Sequence, residues 1–258
     1  MDVKVLKKDD DKIVFKVSKI NPAIANAIRR YIIAYVPTMA IDEVDIKKND
    51  SALFDEMLAL RLGLIPLKTD LKGYKVWEGP SEERPKTAQY ELKMTLKAKG
   101  PSTVYSSEIK SSDPKVAPAF SKIPIVKLLE GQEIELVATA RLGHGREHAK
   151  FCPALAIYRG DPELIATKES NVKEVVEKLS DFIVKKGSSL EIKDITKWNE
   201  AHENICEMNG VDVISSKEDF IFTVESWGQL STKEIVMKAI DIFDSKLDEF
   251  EGLVKKLK

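Results

Sequence analysis

At 258 residues, with 43% hydrophobic and 32% charged side chains, the chain can bury more than one core, and two or three structural units are expected. The 41 Lys and Arg nearly balance the 42 Asp and Glu, with 27 basic against 21 acidic residues up to residue 160 and 14 against 21 thereafter. Neither part has the basic excess of a dedicated DNA-binding domain, two cysteines exclude a disulfide framework, and no apolar run is long enough to span a bilayer.

The opening MDVKVLKKDDDK has no signal-peptide core, so a cytoplasmic protein is expected. Val3 to Leu6 and Ile13 to Val17 are short, alternating and β-branched, which predicts a hairpin turning at Asp9-Asp10-Asp11. Three adjacent carboxylates in a tight turn rarely converge on one ion, so this run is read as a solvated turn. Asn21 and Pro22 then form a helix start, an N-cap followed by a residue whose fixed φ suits the first turn. Ile24, Ile28, Tyr31 and Tyr35 recur at four, three and four, making one apolar stripe that Pro37 ends near Tyr35 or Val36. Arg29 and Arg30 stand mid-helix in this Ala-rich, apolar segment. Met39 to Ile46 reads as a strand, and Asp50 or Ser51 as the cap of a short helix through Leu62 that Gly63 closes.

Thr69 to Lys86 is rich in Gly, Pro and charge and is expected to be a loop. Tyr90, Leu92, Met94, Leu96 and Ala98 alternate with mostly polar residues, as do Ile134, Leu136, Ala138 and Ala140, so both stretches predict half-buried strands. Val104 to Ile109 and Ile125 to Leu129 are two further strands between them. The run RLGHGREHAK, Arg141 to Lys150, holds two of the three histidines, with Cys152 just beyond. His144, His148 and Cys152 are spaced by four, but a zinc site usually draws a second ligand cluster from elsewhere, and only His202 and Cys206 remain to supply it. A Cys-His nucleophilic pair has no oxyanion hole or acidified thiol to support it.

Ala154 to Tyr158 reads as a buried strand, and Gly160-Asp161-Pro162 as a break into a third region. There Ser170 caps a helix with Val172, Val175, Val176, Leu179, Phe182 and Ile183 inward, closed by Gly187. Leu190 to Ile192 is a strand and Asp194 to Met208 a second helix, with Ile195, Trp198, Ile205 and Met208 on one side. Val211 to Ile214 and Phe220 to Glu225 are strands, and Ser231 with Glu234 makes a capping box for the last helix. Along that helix Val236, Ile240, Phe243, Leu247, Phe250, Val254 and Leu257 form a heptad seam, with Ile235, Ala239 and Ile242 on a flanking face. So wide an apolar surface calls for two neighbours, the chain's own sheet and another chain.

Four stretches carry a resemblance: NAIRRYIIAYVPTMAIDEVDI (Asn26 to Ile46), the run Leu53 to Glu56, LRLGLIPL (Leu60 to Leu67) and GREHAKFCPALAIY (Gly145 to Tyr158). Together they resemble the α-like, Rpb3-like assembly subunits of cellular RNA polymerases, in the archaeal Rpo3 branch. Leu60 departs from the pattern, since relatives often have a His there. The resemblance implies an α+β fold. Its dimerisation domain, a sheet plus two long helices, would comprise residues 1–47, 153–160 and 214–258, with a mainly antiparallel inserted domain at 48–152. Residues 161–213 fall where some archaeal relatives hold a ferredoxin-like domain with iron-sulfur clusters. A four-iron cluster needs four thiolates and this span has only Cys206, so a ferredoxin-like domain lacking its cluster is expected, with no cofactor.

By the same resemblance, Ile24, Ile28, Tyr31 and Tyr35 of the first helix and Val236, Ile240, Phe243, Leu247 and Phe250 of the last pair with the small α-like subunit L (Rpo11). Arg29, Arg30, Arg146, His148 and Lys150 would face the second-largest catalytic subunit, Rpo2, and the small subunits N (Rpo10) and P (Rpo12) would dock nearby. No Asp-x-Asp-x-Asp run or P-loop is present to hold Mg²⁺ and phosphates, so catalytic and metal residues are expected to be absent. The expected role is assembly within a nucleotidyltransferase complex, with DNA contacted only indirectly and neither a membrane nor a small-molecule substrate involved. Two other readings are a ferredoxin-like electron-transfer protein, which a visible spectrum would reveal, and a metal-dependent hydrolase using His144 and His148, which metal analysis would test.

Overall fold

Asp9 to Asp11 turn the chain between Asp2–Lys8 (β1) and Lys12–Ser18 (β2), which pair antiparallel from Asp2↔Ser18 to Lys8↔Ile13 and bury Val14, Phe15 and Val17. The computed structural model describes residues 1–80, 83–187 and 189–257. After β2 come α1 (Pro22–Ala34), β3 (Pro37–Asn49), α2 (Asp55–Gly63), β4 (Leu92–Lys99), β5 (Ser102–Tyr105), β6 (Lys110–Ser111), β7 (Pro124–Leu128) and β8 (Glu133–His144). The remainder is β9 (Ala154–Ala166), α3 (Val172–Lys178), β10 (Ile183–Lys186), β11 (Ser189–Ile192), α4 (Glu200–Met208), β12 (Val211–Ser226) and α5 (Thr232–Val254). The chain forms two compact units, Met1–Ala27 with Ile157–Val224, and Ile28–Ala156 with Glu225–Lys258.

The first unit is built on a six-stranded sheet in the order β1-β2-β12-β9-β11-β10. Its later part follows the sequence β9-α3-β10-β11-α4-β12, a β-α-β-β-α-β arrangement. Leu164, Val175, Leu179, Ile183, Leu190, Trp198, Cys206 and Val211 fill one core beneath it. The Phe15 and Phe222 rings stack at 5.2 Å.

Several expected boundaries are corrected here. Strand β9 passes straight through Gly160-Asp161-Pro162. Its antiparallel pairing with β11 is at Leu190↔Leu164, beyond Pro162, so the missing N–H leaves no rung unmade on that side. Lys16 holds Asp161 and Asp219 in ion pairs. Strand β12 is likewise one 16-residue strand where two were expected, and Ser216 Oγ satisfies the amides of Glu218 (3.2 Å) and Asp219 (3.0 Å) in its polar middle. The expected domain borders at 160/161 and 213/214 therefore fall inside strands. Asn171, not Ser170, caps α3, and that helix ends by Leu179. Ile183 then joins the β10–β11 hairpin, where Gly187 (φ 61) serves the turn and does not close a helix; residue 188 lies outside the described residues. Helix α4 begins only at Glu200. Asp194 Oδ1 takes the Thr196 amide at 3.0 Å in a local turn, and Asn199 supplies the cap.

The second unit contains a four-stranded sheet, β3-β8-β4-β6, and the ribbon β5-β7. Strands β3 and β8 pair from Pro37↔His144 to Asn49↔Ile134, and β4 alternates buried and exposed residues along its whole length. Met39, Ile41, Leu58, Leu62, Met94, Leu96 and Leu136 are central to its core. Here too the local reading is corrected at element ends. Ser51 Oγ donates to Asn49 Oδ1 (2.6 Å) and accepts from the Leu53 amide (3.2 Å), so it builds a turn ahead of α2 and does not cap it. A 3-10 turn at Ser106–Glu108 interrupts the expected strand to Ile109, and β8 continues through Arg141 to His144. The stretch from Thr69 is without strand or α-helix up to β4; residues 81 and 82 lie outside the described residues.

Candidate interaction surface

Helix α1 starts as its residues dictate: Asn21 Oδ1 accepts the Ile24 amide at 2.9 Å. The expected stripe divides when burial is considered. Ile28, at 7% exposure, belongs to the core along with Ala25, Ile32 and Val36, whereas Ile24 is exposed and Tyr31 and Tyr35 are half-buried. The assignment of Ile28 to a partner surface is corrected accordingly. Arg30 is exposed and Arg29 half-buried.

Helix α5 opens on its capping box: Ser231 Oγ accepts the Glu234 amide at 3.3 Å, and Glu234 Oε2 accepts the Ser231 amide at 3.0 Å. The flanking residues Ile235 and Ala239 are fully buried. The seam faces out. Leu247 is 51% and Phe250 65% exposed, Ile240 and Val254 are exposed as well, and Val236 and Phe243 are half-buried. From Asp244 to Leu257 the burial pattern is exposed at every residue. Phe243 reaches Tyr31 at 4.7 Å between ring centroids, and Tyr31 stacks on Tyr35, also at 4.7 Å. The guanidinium of Arg146 lies 5.5 Å from the Tyr35 ring centre, completing a row of π-systems that ends on a cation.

Arg146 is placed by the end of β8 and the turn after it. His144 Nδ1 lies 2.8 Å from the Tyr35 carbonyl, which can only accept, so Nδ1 carries the proton. Burial lowers the pKa of this imidazole against the opposing pull of that bond, which keeps the ring neutral near pH 7. The Arg146 amide donates to Ala34 O at 3.1 Å, so the turn also satisfies a carbonyl at the end of α1. Only glycine fits at 145, where a Cβ would lie 2.0 Å from Ile33 O.

The same turn is anchored by charges that local sequence reading missed. Asp42 receives Lys150 Nζ at 2.7 Å, Arg141 Nε at 2.6 Å and Arg84 NH1 at 3.3 Å. Arg84 also reaches Glu43 (2.8 Å) and Glu91 (3.2 Å), and Arg141 reaches Glu147 (3.0 Å). Burial would push the Asp42 carboxyl up, but the hydrogen bonds from Lys150 and Arg141 outweigh it and hold the group down to about 2. Lys150, expected to serve a partner, therefore has its charge committed inside the chain. Arg146 and His148 remain exposed.

The histidines and cysteine spaced by four do not form a ligand set. His148 Nδ1 accepts the Lys150 amide at 3.0 Å, and Cys152 Sγ donates to Ala154 O at 3.2 Å. Among the described residues no group of three or more His, Cys, Asp or Glu could hold a metal ion. Cys206 is fully buried in the first unit's apolar core, where burial pushes its thiol up to about 11. No described helix is long and apolar enough to cross a membrane.

Comparison with known proteins places these features in context. Residues 44–154 match the RNA polymerase Rpb3/RpoA insert domain. The chain is 36% identical over 260 residues to the DNA-directed RNA polymerase subunit Rpo3 of Pyrococcus horikoshii, which covers 99% of this chain and 98% of that one. It is 36% identical over 264 residues to the Rpo3 subunit of Thermococcus kodakarensis (100% and 99% covered), and 35% over 261 residues to that of Archaeoglobus fulgidus (99% and 98%).

Proposed function

The chain belongs to the family of archaeal DNA-directed RNA polymerase subunits Rpo3, and from that premise we propose that it is a non-catalytic assembly subunit of the enzyme. Its partners are other subunits of the polymerase. The finer assignment is that the α5 seam (Val236, Ile240, Phe243, Leu247, Phe250), with Tyr31, Tyr35 and Ile24 of α1, binds the small α-like subunit L (Rpo11). Arg29, Arg30, Arg146 and His148 then receive the second-largest catalytic subunit, Rpo2, and subunits N (Rpo10) and P (Rpo12) dock nearby. Lys150 acts indirectly, by holding the turn that carries Arg146. Residues 161–213 serve as a ferredoxin-like module without an iron-sulfur cluster, the protein works in the cytoplasm, and DNA is reached only through the assembled enzyme.

One observation carries this reading: α5 buries its flank and exposes its seam. Full burial of a large apolar side chain is worth about 1.5–3 kcal/mol, so seam residues that are about half exposed have about half of that still to gain. Ordering and lost rigid-body freedom consume part of the total, and several such residues in one row leave a net gain for a partner helix. Co-expression with the small α-like subunit from the same organism tests the reading. The expected result is a stoichiometric heterodimer that recruits Rpo2, while the lone chain self-associates. A lone chain that stays monomeric and ignores its small partner contradicts it.

A further inference from the structure

From Thr69 to β4 the described chain has neither strand nor α-helix, yet this stretch carries Arg84, the only charged residue among those described that is buried. Each nitrogen of its guanidinium meets a different carboxylate: Nη1 reaches Asp42 at 3.3 Å, Nη2 reaches Glu43 at 2.8 Å and Nε reaches Glu91 at 3.2 Å. A buried charge is costly unless it is paired and hydrogen-bonded, and here the whole fork is matched. No regular element places Arg84, so these tertiary ion pairs do.

The backbone of β3 is shaped to receive it. This strand lies at the edge of its sheet, and its pairing with β8 slips between Ile41↔Ala140 and Glu43↔Thr139, so Asp42 is the extra residue of a bulge. In a regular strand Asp42 and Glu43 would point to opposite faces, whereas the bulge lets one guanidinium take both. From Asp42 the charges run on to the turn after β8. Asp42 Oδ2 also accepts Arg141 Nε at 2.6 Å, and Oδ1 accepts Lys150 Nζ at 2.7 Å. Arg141 donates in turn to Glu147 Oε2 at 3.0 Å, and Glu147 Oε1 accepts the His144 amide at 2.9 Å. The turn that holds Arg146 is thus tied to Asp42 on both sides, through Arg141 before it and Lys150 after it. Without Arg84, the four carboxylates of Asp42, Glu43, Glu91 and Glu147 would face two cations, with like charges adjacent at the bulge.

We propose that Arg84 is a positioning residue for recruitment of the large subunit: by closing on Asp42 and Glu43 at the bulge, it fixes the turn that presents Arg146 and His148, without touching the partner itself. This role rests on the reading that Arg146 and His148 receive that subunit.

Pull-down of the large subunit by preformed heterodimer, made from the full chain and the small α-like subunit, tests it. Arg84→Met is expected to keep the heterodimer and to lower its affinity for the large subunit about tenfold, the order of one lost hydrogen bond to a charged group. In a background that carries Arg146→Ala and His148→Ala, the same substitution is expected to cost less than about twofold more, because the groups that it positions are already gone. An arginine that served stability alone would cost as much in both backgrounds, and that result overturns the proposal. So does an Arg84→Met heterodimer that recruits like the wild type while the Arg146→Ala, His148→Ala heterodimer does not. Normal recruitment by the latter removes the surface assignment itself, and the role of Arg84 with it. If Arg84→Met yields no folded chain, Arg84→Lys, which keeps the charge and loses the fork, takes its place in both backgrounds and is judged by the same comparison.

Discussion

The Tyr31 ring meets the Phe243 ring at 4.7 Å and 46°, so α1 and α5 touch through an aromatic contact inside the chain, made by two half-buried residues of the surface proposed for the small partner. Aromatic pairs of this kind contribute about 0.5–1.5 kcal/mol beyond the area that they bury. A double-mutant cycle of Tyr31→Leu and Phe243→Leu, read by urea unfolding of the chain, should give a coupling in that range. Strict additivity would show that the rings merely lie near one another.

Leu247 is 51% exposed and one residue from Lys246, which is paired with Glu249 on the solvent side. Leu247→Asp should leave the fold within about 0.5 kcal/mol, as exposed substitutions do, yet release the small α-like partner, since the carboxylate would be buried without a counter-charge there. Lys246→Asp is the matched control and should bind normally. Co-purification decides it: equal recovery of the partner with both variants would place the interface elsewhere, and unfolding of the Leu247 variant alone would make the seam internal core.

Arg29 and Arg30 stand on α1, whose inward side is already occupied by Ile28 and Ile32. Replacing both by Ala should leave the heterodimer intact and block recruitment of Rpo2, because a guanidinium making several hydrogen bonds has no substitute in Lys or Ala. Pull-down of Rpo2 by preformed heterodimer is the measurement, and undiminished recovery would remove these arginines from the interface.

Asp42 supplies a pH signature. Its folded value of about 2 lies below the ordinary 3.8, so the stability that it contributes is full above pH 4 and is lost as pH falls through about 2. The size is about 2 kcal/mol. Urea unfolding of wild type and Asp42→Asn from pH 7 to 2 should show midpoints that differ most above pH 4 and converge toward pH 2. A gap that does not change with pH would mean that the carboxylate charge contributes nothing.

In the first unit Trp198 is 3% exposed, packs with Cys206 and Val175, and donates Nε1–H to Glu203 at 3.0 Å. With a single, buried cysteine, residues 161–213 should stay colourless through anaerobic iron and sulfide reconstitution, and the apolar core alone must hold them. Trp198→Ala should then cost about 3–5 kcal/mol, measured by thermal or urea unfolding. A stable brown species with stoichiometric iron would refute the cluster-free assignment.

Two helix starts were legible from local signals, since Asn21-Pro22 and Ser231-x-x-Glu234 act within four residues and both caps form as read, whereas Ser51, Ser170 and Asp194 resemble caps just as locally and are spent in turns. Strand continuity was not legible. Gly160-Asp161-Pro162 and Ser215 to Asp219 look like breaks in isolation, and only their neighbours in the sheet, Lys16 among them, carry the strands through. At the interaction surface the α5 seam could be read from its heptads, but the split of α1 into core and exposed positions depends on what packs behind Ile28. The carboxylates that hold Arg84 at Asp42 and Glu43 lie more than forty residues away, beyond the reach of any motif.

The bare backbone at Gly145 has a structural consequence. With no side chain between them, the turn packs directly against Ile33 O while the Arg146 amide donates to Ala34 O, so turn and helix end are joined backbone to backbone. A partner that takes hold of the Arg146 side chain therefore does so one backbone hydrogen bond away from the end of the helix that presents Arg29, Arg30 and Tyr31.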